Sequence, residues 1–154
     1  MVDAFKELTE DERELMYKAP VLVCILIAGA DGKIDRKEIQ QSITTISQNK
    51  ERRLALSDFF ADISNDFEDK IKILIQNYPY ESTQRNPLIV EELTRVNQIW
   101  SKLDQKFADY YYNMLLELAQ KVASSSGGWL GIRSIGSEEA QFVNLPMIRK
   151  PSKN

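Results

Sequence analysis

The chain has 154 residues, enough for one ordinary domain to bury most of its apolar surface without disulfides or a structural metal. Its 23 acidic and 20 basic residues leave a formal charge of -3, which gives no polyelectrolyte footprint for nucleic acid. Histidine is absent and cysteine occurs once, so Ser-His-Asp and Cys-His machinery and an intrachain disulfide are excluded.

In chain order, Thr9 with Glu12 makes a capping box for a first helix, which Pro20 should kink or replace with a second helix opening at Val21. The run from Pro20 to Ala30 is apolar all round, and therefore central. It falls short of the roughly 20 residues of a spanning helix and does not sit where a signal peptide would. A cytoplasmic, soluble chain is the expectation. Cys24 lies inside this run and reads as a small buried hydrophobe. Asp35 can cap the next helix, with Glu38 reaching back and Ile39, Ile43 and Ile46 as the apolar stripe.

Leu56, Phe59, Phe60 and Ile63 keep helical spacing, Ser64 resets the chain as a cap, and Phe67, Ile71, Leu74 and Tyr78 continue until Pro79. Asn86-Pro87 marks a helix start, after which Ile89, Leu93, Val96, Trp100 and Leu103 trace one face. Phe107, Tyr111, Met114, Leu115, Leu118 and Val122 trace another. A short last helix is expected from about Glu138 to Leu145, with a polar tail over residues 149–154 after a domain spanning 1–148. No stretch alternates with period two for long enough to make a sheet. The fold class is all-α: a single compact bundle of about seven helices in two pseudo-repeated halves around a central apolar helix.

All six glycines fall in two segments, and the first carries the chemistry. With Gly32 set at position 6 of a twelve-residue calcium loop, Asp31 takes position 5, Ile34 position 8, Asp35 position 9 and Glu38 position 12. Ile27 and Gly29 stand where the first two side-chain ligands belong. The loop therefore offers about five oxygens where calcium takes 6 to 8, and binding by it alone should be weak. Helix-end and capping chemistry explains Gly32, Asp35 and Glu38 without an ion. Asp31 fits that account less well, because it faces the negative end of the preceding helix dipole.

In the second segment Gly127-Gly128, Ile135 and Glu139 stand where Asp31-Gly32, Ile34 and Glu38 stood, with Gly136 in place of Asp35, which suggests an old internal repeat retaining one carboxylate. Gly128 to Ser134 lacks the spacing and lysine of a phosphate-binding loop. Trp129 and Arg133 are residue types enriched at interface anchors, and the alternative is a tryptophan tucked under its own loop.

Residues Ala28 to Glu38, preceded by Ala19-Pro20 and an aliphatic helix, resemble the TerB family of tellurite-resistance-associated proteins, closely over 19–46. The resemblance implies an all-helical domain of two similar halves, each with an acidic signature. It further implies a non-enzymatic cytoplasmic module that binds a divalent cation, such as calcium or manganese, and joins protein partners linked to membranes in stress resistance. Carried over residue by residue, the metal ligands are Asp31, Asp35, Glu38 and Glu139. Gly127 and Gly136 depart from the pattern of a symmetric two-half site.

Two other readings compete. One is a metal-independent helical scaffold or homodimer acting through an exposed aromatic patch of Tyr110, Tyr112 and Trp129. The weaker is a carboxylate and metal hydrolase, for which the sequence offers no closed cage and no obvious nucleophile.

Overall fold

The computed structural model describes residues 2–28, 36–64, 67–126 and 141–151. Among them every regular element is helical and no strand occurs. In chain order these are a 3-10 turn at Asp3–Phe5, α1 at Glu10–Ala28, α2 at Arg36–Ser47 and α3 at Lys50–Ala55. There follow α4 at Ser57–Ser64, α5 at Phe67–Asn77 and α6 at Ser82–Thr94. Two 3-10 turns, Arg95–Gln98 and Trp100–Lys102, lead into α7 at Gln105–Ser126.

The capping box forms as its residue types dictate: Thr9 N donates to Glu12 Oε1 at 2.9 Å and Glu12 N donates to Thr9 Oγ1 at 3.2 Å. Lys102 closes on the same Glu12 carboxylate at 2.9 Å, tying the start of α1 to the turn before α7. No second helix opens at Val21: α1 runs unbroken through Pro20 to Ala28. Proline lacks the N-H that would bond the carbonyl of residue 16. Tyr111 of α7 supplies the missing donor, its hydroxyl reaching Met16 O at 2.7 Å in a fully buried setting.

From Val21 to Ile27 every residue of α1 is 0% exposed, and Ala28 is 2% exposed. This all-apolar second half of α1 forms the centre of the bundle. It packs most extensively on α7 and then on α6, while α2 also lies against α7. An aromatic cluster closes one end: Phe5 meets Tyr17 and Phe107 edge-on with centroids 5.4 and 5.5 Å apart, and Phe59 stacks on Tyr17 at 5.6 Å.

Asn86-Pro87 does not start a helix. α6 begins at Ser82 and contains Pro87 as its sixth residue. The carbonyl that Pro87 leaves unbonded belongs to Thr83, an exposed residue. Upstream, the buried Arg85 donates from Nη1 to Tyr80 O at 2.7 Å and pins the turn ahead of the helix. Ser64 ends α4 and α5 is described from Phe67, so the expected cap at Ser64 abuts residues 65–66, which lie outside the described residues. In the described part of the expected last helix, residues 141–144 form turns instead, and Leu145 takes a positive φ of 49°.

Candidate functional surfaces

The end of α1 at Ala28 and the start of α2 at Arg36 bracket the acidic segment. Glu38 is the third residue of α2. Its side chain lies outside the described residues, as do Asp31, Asp35, Glu139, Trp129 and Arg133. Among the described residues no group of three or more Cys, Asp or Glu is placed to hold a metal ion.

Several half-buried polar groups elsewhere are joined in stitches between helices. Glu92 of α6 accepts from the Tyr78 hydroxyl and pairs with Lys18 of α1. Burial pushes the Glu92 carboxyl up, but Lys18 and Tyr78 outweigh it and the net shift is downward. Tyr17 donates to Asp62 Oδ2 at 2.7 Å, and the Lys70 ammonium sits 5.2 Å from the Tyr17 ring centre. Burial, followed by the Asp62 carboxylate, pushes the Tyr17 phenol up to about 12. Cys24 is fully buried, and that burial drives its thiol far above the usual range, so it supplies no thiolate at neutral pH.

The tyrosines proposed as a patch diverge. Tyr112 meets Trp100 edge-on with centroids 6.3 Å apart, whereas Tyr110 lines a separate cavity of about 580 Å³ between the N-terminal turn, α3 and the start of α7. Both rings are half-buried. Leu54, 71% exposed, stands at this cavity beside Ala55 and Phe107, with Asp3, Asp104 and Lys106 also lining it.

A second surface follows α6 and was not apparent from sequence. Asn97 Nδ2 donates to Met147 O at 2.8 Å, and Asn97 Oδ1 accepts from Arg149 N at 2.7 Å. The Trp100 indole N-H donates to Arg149 O at 2.9 Å. Leu145 and Ile148 are buried in the core, and Pro151 is buried as well. Near the other end of α6, Gln141 and Phe142 share a cavity of about 440 Å³ with Ser82, Asn86, Pro87 and Val90. Residues 141–149 therefore run alongside α6 in the same direction. The only sequence signal for this clamp is an amide and an indole in a 3-10 stretch where two polar atoms need partners, which no local periodicity reveals.

No protein-family model, no curated protein and no solved structure matches this chain.

Proposed function

We propose that the chain is a non-enzymatic, stress-associated interaction module of the TerB-like kind, a bundle of about seven helices in two pseudo-repeated halves. In this reading the 31–38 segment binds a divalent cation such as calcium or manganese weakly, and a protein partner's oxygens complete the shell. Its setting is the cytoplasm, and its partners include proteins linked to a membrane. The observation that carries the reading is the helix on either side of the acidic segment, Glu10–Ala28 and Arg36–Ser47, which puts Glu38 in the first turn of the exiting helix. A carboxylate there is favoured by the helix dipole and lies at the position where a calcium loop takes its bidentate ligand. The test is titration with calcium, magnesium and manganese followed by NMR. Shifts at residues 31–38 that vanish in Asp31→Asn with Glu38→Gln support it; shifts that persist unchanged in that double variant refute it.

A metal-independent scaffold or homodimer is the second reading, favoured by the exposed Leu54 beside the cavity lined by Tyr110. Light scattering separates the two. A dimer insensitive to chelator and lost on Trp129→Ala supports the scaffold.

A further inference from the structure

Leu54 keeps 71% of its surface exposed on the short helix α3, and single exposed leucines are ordinary. Its position is what sets it apart. Of the four large hydrophobic side chains that stand exposed among the described residues, Leu54, Ile73, Tyr80 and Leu88, only Leu54 borders either of the cavities of about 580 and 440 Å³. The larger cavity, against which it stands, has Phe107 and Tyr110 of α7 in its wall and Ala4 and Ala55 beside them. Such a volume lies in the range of ligand clefts and has ample room for a leucine side chain. A knob and a hole of matching apolar character therefore adjoin on one face.

Adjacency decides what the hole takes. In a two-fold dimer the same patch meets itself, so a knob and a hole lying side by side across the axis fill each other twice over. A knob and a hole on separate faces would instead join subunits head to tail. The charges agree with a self-match. Lys50 is exposed and lies four residues before Leu54 on α3, which puts the two on one face of the helix. The cavity lining carries the carboxylates of Asp3 and Asp104 against the single ammonium of Lys106. Asp104 already accepts from Phe107 N at 3.2 Å, whereas Asp3 is exposed. A second copy of α3 thus brings an aliphatic side chain to an apolar wall and a cation to an acidic rim.

We infer that this face is the contact surface of a two-fold homodimer: Leu54 of each copy enters the other's cavity beside the Phe107 and Tyr110 rings, and Lys50 meets Asp3 of the partner subunit. The face so assigned rests on the homodimer reading and gives it a defined surface. One aliphatic anchor and one ion pair per copy make a small interface, so self-association is weak, with a dissociation constant on the order of micromolar or above.

The test is sedimentation equilibrium of the full chain from about 5 μM to about 1 mM. Leu54→Glu sets a carboxylate against Asp3 and Asp104 and should raise the dimer dissociation constant about tenfold or more, with native helical circular dichroism. Ile73→Glu, at a position 56% exposed on α5, should leave that constant unchanged. Lys50→Glu should raise it roughly threefold or more, and adding Asp3→Lys should recover most of the loss. A dimer indifferent to Leu54→Glu overturns the face; if that same dimer is lost on Trp129→Ala, the homodimer reading survives without it. A charge swap that recovers nothing overturns the pairing of Lys50 with Asp3. A chain still monomeric at about 1 mM overturns the face and the homodimer reading together. Should Leu54→Glu fail to fold, Leu54→Ser takes its place with the same loss of about tenfold expected.

Discussion

Removing one hydroxyl from α7 should destabilise the chain through a carbonyl on α1. Tyr111 is 0% exposed, and its O-H donates to Met16 O at 2.7 Å. Met16 is four residues before Pro20, so its carbonyl is the one proline cannot serve within the helix. Tyr111→Phe preserves the ring and its contacts with Phe59 and Trp100, and leaves that buried oxygen without its donor. An unsatisfied buried acceptor costs about 1–3 kcal/mol. Taking about 2 kcal/mol, Tm should fall by roughly 4–8 °C for a chain of this size. Urea unfolding followed by circular dichroism measures the change, and Pro20→Ala provides the control. Alanine restores the N-H that reaches Met16 O, so in that background Tyr111→Phe should cost no more than about half as much. A double-mutant cycle cancels any cavity left by Pro20→Ala and isolates the coupling, expected near about 1 kcal/mol. If Tyr111→Phe costs the same in both backgrounds, the hydroxyl is not replacing the missing amide and the reasoning fails.

Thr9→Ala should cost about 1 kcal/mol by opening the capping box, read as a shift in urea midpoint at constant slope. Glu12 is held below its ordinary pKa first by the Thr9 backbone N-H and next by Lys102. Its contribution is therefore present above the unfolded carboxyl's pKa and lost as pH falls through the folded one, so Glu12→Gln should flatten the acid limb of a stability profile. At the alkaline end Tyr17 holds its proton up to about 12, against 10.0 for the ordinary phenol. Between those values the unfolded chain has lost a proton that the folded chain keeps, so stability falls as pH rises. Tyr78 and Tyr111 are shifted the same way, and Tyr17→Phe should remove only part of the slope measured between pH 9 and 12. Cys24 should react with a thiol reagent at the rate of unfolding, because it is fully buried in the apolar part of α1; fast labelling of the native chain would contradict its position.

Local signals were legible where both partners sit within one helical turn. The Thr9–Glu12 box forms atom for atom, and the all-apolar run after Pro20 is the central helix. Pro20 opens no second helix and Pro87 starts none, because the carbonyl that each strands has a setting outside the local pattern. Met16 O finds Tyr111, and Thr83 is exposed. Neither setting is visible within a window of neighbouring residues. The hold on residues 147 and 149 was illegible on the same ground, since Asn97 and Trp100 reach partners about fifty positions along the chain. Of the acidic-site residues only Glu38 falls in a described element, α2, and Asp35, the expected cap of that helix, lies outside the described residues.

The placement of α1 has a consequence for biosynthesis. The apolar second half of α1 is translated early, and the principal cover of the helix, α7, is translated late: Met16 and the tyrosine that takes up its carbonyl lie 95 positions apart. At about 5–20 residues per second, ribosomes need roughly 5–20 s to cross that interval. During it the nascent chain carries its stickiest segment without the lid meant for it, so yield in the cell should depend on elongation speed and on chaperones that hold residues 19–28 until residue 126 has emerged.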